Sequence, residues 1–515
     1  MNKKEQFISQ ITDGYTFKGE TITIGGALLD GECITGTHIK IPLKTLNRHG
    51  LISGATGTGK TKTLQLLAEG LSSKSIPVFV MDIKGDFSGI AKPGTSNPKI
   101  EDRMAKIGLA FEPQGFPVEF LTISGEKGSR LRATVSEFGP VLFSKMLELN
   151  DAQEGVMAMI FKYCDDNKLP LLDLKDMKKM LQFISNEGKQ ELQQNYGNIS
   201  TSSVGTILRK VVELEQQKAD IFFGERSFDV NDLMRIDDNG RGIISIIRLA
   251  DIQDKPKLFS TFLLCLLAEI YNTFPEAGDL DQPKLVLFID EAHLIFKEAT
   301  KSLLEQIETI IKLIRSKGVG VFFCTQNPID IPDSVLAQLG LKVQHALRAF
   351  TAKDRKEIKL ISENYPVSEF YKIEDLLTSL GIGEAAVSVL NEKGNPTPLS
   401  SVLLCAPGSR MDVLTPQEID EITGVSHIIK KYNEVLDRES AFEILTNKMK
   451  EAAKQQEEEQ KEQSKSTAKE KTTAEKILGS TTGRQIGRTV ARELTRGLLG
   501  VLGISGSKSK SKSWF

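Results

Sequence analysis

Cysteine is scarce and scattered in this sequence, neither sign of charge dominates, and no apolar run approaches the thickness of a bilayer. The five cysteines, Cys33, Cys164, Cys265, Cys324 and Cys405, are odd in number and never stand in C-x-x-C spacing. That argues against a disulfide framework and against a zinc site, and suits a reducing compartment. Lys plus Arg (66) almost cancel Asp plus Glu (68), for a formal charge of −2. No overall field therefore attracts nucleic acid or an anionic membrane, and any such contact has to be local. Met1 to Gln10 carry lysines with no apolar segment behind them, and the runs Phe262 to Ile270 and Leu285 to Ile289 are too short to span a membrane. The expectation is a cytoplasmic chain with no export and no transmembrane helix. Its 515 residues allow two or three domains with a buried core.

What is present is organised around Gly54-Ala55-Thr56-Gly57-Thr58-Gly59-Lys60-Thr61, which fits the phosphate-loop pattern G-x-x-x-x-G-K-[ST] at every fixed position. Several consecutive backbone N–H groups must turn inward on a polyanion there, and glycine tolerates that curvature without steric cost. Leu51-Ile52-Ser53 reads as the end of a strand and Thr61 to Ala68 as the helix that follows, so dipole and free N–H groups face the same anion. In this reading Lys60 reaches the β- and γ-phosphates of ATP and the Thr61 hydroxyl ligates Mg²⁺.

Upstream, residues 15–45 alternate apolar and polar positions between glycines and read as short strands and turns. Downstream, Pro77 to Met81 reads as a strand ending in Asp82-Ile83-Lys84-Gly85-Asp86. Asp82, Lys84 and Asp86 stand equally as site residues and as a solvated turn. From about 125 to 280 longer helical periods take over, with a further strand at Gly242 to Ile247 and an apolar helix at Lys257 to Tyr271.

Leu285-Val286-Leu287-Phe288-Ile289-Asp290-Glu291 reads as a buried strand capped by two carboxylates. After a phosphate loop, Asp290 is the candidate Mg²⁺ holder and Glu291 the candidate base for an attacking water. His293 reads as a packing or hydrogen-bonding residue. A helix at Ile307 to Ile314 ends in Arg315 and a Gly318 cap, where Arg315 has two readings: partner of the helix dipole, or a finger acting on a neighbour's γ-phosphate. The next strand, Val319 to Gln326, ends in an amide that either senses the γ-phosphate or merely caps the strand. Strands and helices then alternate to Glu384 to Leu390, a closing hairpin.

With the phosphate loop, Asp82 to Asp86, Leu285 to Glu291, Arg315 and Thr325-Gln326-Asn327-Pro328 in this order, the sequence resembles the HerA/FtsK branch of phosphate-loop ATPases. Leu46 to Ile52, Ile331 to Leu336 and Gln344 to Phe350 are similar to a bacterial group of HerA-like helicase homologues. The resemblance implies an α/β fold with a RecA-like P-loop NTPase core, a mainly parallel sheet, and a ring, commonly a homo-hexamer, that translocates duplex DNA. It implies Glu291 as catalytic base, Gln326 as sensor and Arg315 as trans-acting finger, with Arg348 competing for that last role.

The expected layout is a β-rich lead-in at 1–45, an ATPase domain at 46–407 with its helical insertion, a helical extension at 408–448, a charged low-complexity linker at 449–480 and a basic amphipathic helix and tail at 481–515. In the last segment Arg484, Arg488, Arg492 and Arg496 recur every four residues. Such a helix suits an anionic membrane, nucleic acid or a protein partner equally. An ATP-dependent assembly or regulatory protein, acting on a protein partner or secretion-type complex, is the alternative to a DNA motor.

Overall fold

The computed structural model describes residues 2–252, 255–298, 301–434, 436, 438–451 and 453–454. Residues Met1–Ile444 form one compact unit, and Leu445–Phe515 a second whose described residues are helical. The first unit is built on twelve described strands: β1 (Thr21–Leu29), β2 (Glu32–Pro42), β3 (Gly50–Ser53), β4 (Val78–Asp82), β5 (Val118–Thr122), β6 (Ser129–Arg130), β7 (Ile244–Arg248), β8 (Leu285–Ile289), β9 (Val319–Thr325), β10 (Leu341–Gln344), β11 (Glu384–Ser388) and β12 (Ser400–Leu404). They form one sheet in the order β2-β1-β12-β11-β10-β3-β9-β8-β4-β7-β5-β6. From β10 to β6 every neighbour is parallel; from β2 to β10 every neighbour is antiparallel. The described helices are α1 (Lys3–Gly14), α2 (Lys60–Ser73), α3 (Pro98–Ile107), α4 (Val135–Met146), α5 (Asp151–Asp166), α6 (Leu174–Ser185), α7 (Lys189–Tyr196), α8 (Thr201–Gln216), α9 (Pro256–Thr273), α10 (His293–Glu298), α11 (Lys301–Ile314), α12 (Asp333–Leu336), α13 (Ala352–Ser362), α14 (Ile373–Ser379), α15 (Pro416–Val425) and α16 (His427–Asn433).

The central strands are apolar without alternation because both faces are covered. All residues of β3, β4, β8 and β9 are buried. Ile52, Val80, Phe288 and Phe322 share one core with Leu64 and Leu67 of α2. Consecutive chain segments β3 and β4 are separated in the sheet by β9 and β8. The carboxyl ends of these four strands therefore border one crevice, where open α/β sheets collect their ligands.

Two features of the layout go beyond the sequence expectation, at the start of the chain and after residue 407. The 1–45 region opens with a helix, α1, which is closed by a reciprocal cap between Asn2 and Glu5 and buries Phe7 and Ile11. Its strands extend the main sheet: Gly25 of β1 lies opposite Leu404 of β12, and the Tyr15 hydroxyl donates to Val387 O at 3.0 Å and Pro398 O at 2.8 Å. Within the helical segment at about 125–280, the strand expected at Gly242 to Ile247 is present as β7, which sits between β4 and β5 inside the sheet. Beyond residue 407 the chain does not leave the core. The buried Glu69 of α2 accepts from Gly408 N (2.9 Å), Ser409 N (3.1 Å) and the Ser409 hydroxyl. The linker and basic-helix expectations at 449–480 and 481–515 lie almost wholly outside the described residues. Among the described residues no helix is long and apolar enough to cross a membrane.

Candidate nucleotide site

The phosphate loop leaves β3 through Gly54, Gly57 and Gly59, whose φ angles are 147, 78 and 114°. A side chain at Gly54 would also set its Cβ 2.5 Å from that of His345. Neighbouring strand ends pin the loop: Gly54 N donates to Thr325 O (3.3 Å), Ala55 N to Ala346 O (2.8 Å), and Gly383 N to Thr58 O (3.0 Å). Behind it, His345 Nε2 lies 2.8 Å from the Thr63 hydroxyl, and burial beside Lys60 pushes that imidazole's pKa down to about 4. Lys60 opens α2 and its Nζ donates to Ala55 O at 3.1 Å. Burial lowers its pKa, and the Glu291 and Asp290 carboxylates offset part of that.

Four carboxylates collect at the ends of β4 and β8. Asp82 accepts from Gly85 N (2.8 Å) and Phe87 N (3.2 Å), yet burial and the charges of Asp86 and Asp290 push its pKa up to about 7. Burial and the Glu291 charge raise Asp290 to about 6. Asp86 Oδ2 lies 3.4 Å from the Thr61 hydroxyl, and its Oδ1 is buried without a hydrogen-bond partner. This oxygen-rich set, with Asp86 Oδ1 left without a partner, fits Mg²⁺. Among the described residues no three His, Cys, Asp or Glu side chains converge as ligands. A cation here would accordingly take Thr61 and Asp290 with oxygens from phosphate and water, as such sites do.

Glu291 sits in the left-handed region at φ 46°, a conformation that costs a glutamate about 1–3 kcal/mol. Its Oε1 pairs with Lys84; its Oε2 lies 3.1 Å from His293 Nδ1 and accepts from Gln326 Nε2 at 3.4 Å. Burial lowers the Lys84 pKa, but the carboxylates around it outweigh that and hold it up. Gln326 reaches the other way as well, its Oε1 accepting from the Thr56 hydroxyl at 3.4 Å. One amide thus bridges the phosphate loop and Glu291. Asn327 passes the line on, its Nδ2 donating to Glu357 Oε2 of α13 at 3.0 Å.

The two arginines are far apart. Arg348 lines a cleft with Thr56, Gln326 and Phe350 of its own chain. Arg315 lies at the opposite end of β9 from Gln326, in a different cleft beside Arg48 and Asp279. The seven residues of β9 put about 23 Å between those ends. Arg248 pairs with Glu126 (2.8 Å), and Arg226 Nη1 donates to the Lys431 carbonyl (3.3 Å). Sequence reasoning missed the Thr56–Gln326 bridge and the support from His345 and Gly383. The close glycine at Gly54 was the one available signal that a neighbour packs there.

A family model described as Helicase HerA-like C-terminal matches residues 29–509. The chain belongs to this family. It is a HerA/FtsK-type P-loop ATPase. The DNA double-strand break repair helicase HerA of Sulfolobus acidocaldarius is 23% identical over 375 residues, which cover 71% of this chain and 68% of that protein. HerA of Sulfurisphaera tokodaii is 24% identical over 383 residues, with 71% and 68% covered. The HerA-like chain therefore spans about two thirds of the length of these curated relatives. Among solved structures, the bacterial conjugative coupling protein TrwBdeltaN70, unbound monoclinic form, superposes with a TM-score of 0.51 at 15% identity, covering 79% of this chain and 94% of that one. The match is one of fold, a RecA-like core with a mostly parallel sheet.

Proposed function

We propose that this chain is a Mg²⁺-dependent ATP-hydrolysing motor that works as a ring, a hexamer in the family manner, on duplex DNA. The observation that carries the reading is the Thr56–Gln326–Glu291 line across the mouth of the phosphate loop. Glu291 is aimed by three neighbours, Lys84, His293 and Gln326. In this reading its free carboxylate lone pair takes the proton of a water attacking in line with the leaving oxygen. Lys60 draws charge off the β- and γ-phosphates, and Gln326, already hydrogen-bonded to both sides, holds the water and registers loss of the γ-phosphate. Mg²⁺, when bound, neutralises the charge on the phosphate oxygens. Arg315 cannot reach its own loop, so its finger role would be exercised on the next subunit.

Support for DNA comes from the HerA relatives, whose names state helicase action in DNA double-strand break repair. The test is the ATPase rate with and without duplex DNA across a salt series. A motor tracking the phosphate backbone is stimulated at low salt and loses the stimulation as salt rises. An unresponsive rate at low salt would move the assignment to the protein-partner alternative.

A further inference from the structure

Two ammonium groups of the crevice rest on oxygens of the protein itself. Lys60 Nζ donates to the loop carbonyl of Ala55 at 3.1 Å, and Lys84 Nζ pairs with Glu291 Oε1. The two are neighbours: burial first, and the Lys84 charge after it, push the Lys60 pKa down. Lys60 has phosphate oxygens to turn to once a nucleotide arrives. Lys84 borders the same space and covers the carboxylate proposed as base.

The backbone under Lys84 is fixed. In the turn Asp82-Ile83-Lys84-Gly85-Asp86, the Asp82 carboxylate accepts from Gly85 N (2.8 Å) and Phe87 N (3.2 Å), Leu249 N donates to Asp82 O (3.1 Å), and Gly85 takes φ 74°. The same turn reaches the start of α2, with Asp86 Oδ2 3.4 Å from the Thr61 hydroxyl. On this rigid base the Lys84 side chain is 37% exposed, whereas the Glu291 side chain it covers is 5% exposed. An ammonium on a flexible stem re-aims without having to match a planar fork, so the side chain can change partners while the turn stays put. Each Glu291 oxygen already has a partner: Oε1 faces Lys84, and Oε2 faces Gln326 Nε2 (3.4 Å) and His293 Nδ1 (3.1 Å). A base that takes a proton from water must present an oxygen to it. The Lys84 contact is the one that opens without breaking the line from Gln326 to the phosphate loop.

We propose that Lys84 exchanges partners when ATP binds: without nucleotide its ammonium rests on Glu291, and the γ-phosphate draws it away, which uncovers Glu291 Oε1 for the attacking water. Lys84 is then a ligand of the γ-phosphate alone. ADP lacks that group and leaves the Lys84–Glu291 pair in place, so the base is covered again after each turnover. The inference rests on Glu291 as the base and on neither DNA nor the ring.

The experiment is calorimetric titration of the full chain with ADP and with the β,γ-imido analogue of ATP, in Mg²⁺ buffer without DNA, for wild type, Lys84→Met and Lys84→Gln. The glutamine variant can still donate a hydrogen bond to Glu291 and guards against a loss of folding caused by stranding that carboxylate. Both variants are expected to raise the Kd of the imido analogue by about tenfold and to leave that of ADP unchanged. Equal weakening of ADP means the turn only supports the phosphate loop, and overturns the exchange. An unchanged Kd for the imido analogue overturns it too, since Lys84 then never leaves Glu291 for the γ-phosphate. A γ-specific loss in the Lys84 variants together with wild-type turnover in Glu291→Gln would overturn the base and leave Lys84 as the γ-phosphate ligand.

Discussion

At the scale of single residues, the proposed base is Glu291, a glutamate that the fold keeps in an unfavourable backbone conformation and surrounds with three hydrogen-bonding or charged neighbours. Replacing its carboxylate by an amide preserves size and the contact with Gln326, but removes the group that takes a proton. Glu291→Gln is therefore expected to lower kcat by about 10²–10⁴-fold while ATP affinity stays within a few-fold, read by steady-state turnover beside equilibrium binding. A variant turning over at the wild-type rate would remove Glu291 from the role of base. The glycines, Lys60 and the Asp290-Glu291 pair were legible in the sequence because each answers a local demand, backbone curvature in one case and charge at the end of an apolar strand in the other. The Thr56–Gln326 bridge was not, since it joins positions 270 residues apart through the adjacency of β3 and β9.

At the scale of elements, two buried imidazoles stitch the strands that carry the site. His49, just before β3, has Nδ1 accepting from Val321 N of β9 at 3.0 Å and Nε2 at 2.8 Å from Ile311 O of α11. That pairing requires the neutral ring with its proton on Nε2. Burial, set against the Ile311 carbonyl and helped by Arg315, pushes its pKa from the ordinary 6.5 to about 4. Folded His49 thus refuses a proton that the unfolded chain accepts. Its contribution to stability is present above about pH 6.5 and lost as pH falls toward 4, on the order of 3 kcal/mol over that window. His345 is shifted in the same direction. Thermal melts from pH 7 to 4 should show the stability advantage of wild type over His49→Gln shrinking as pH falls; a constant gap would mean His49 does not titrate between the two states. The same elements show where sequence reading stops. The apolar runs of β4, β8 and β9 announce buried strands, but their order does not follow from them, and neither does the return of Gly408 and Ser409 to Glu69, a pairing of one carboxylate with backbone N–H groups 339 and 340 residues away.

At the scale of the whole molecule, the geometry keeps the proposed finger, Arg315, away from the phosphate loop of its own chain. Lys60, Glu291 and Gln326 share the crevice at the carboxyl ends of β3, β8 and β9, whereas Arg315 stands at the other end of β9. If the arginine completes a neighbour's site, two inactive proteins can repair each other. In a ring assembled from equal amounts of Lys60→Ala and Arg315→Ala subunits, a junction is intact only when the site comes from the Arg315→Ala chain and the finger from the Lys60→Ala chain. Random assembly makes that combination about one junction in four, so mixing and reassembly should restore about a quarter of wild-type ATPase activity. No recovery is possible if both residues must belong to the same chain, because neither parent then carries a whole site. Recovery that grows with protein concentration and disappears on dilution would tie it to assembly, since the proposed closed ring, with heterologous contacts, would place each Arg315 beside the next subunit's Lys60.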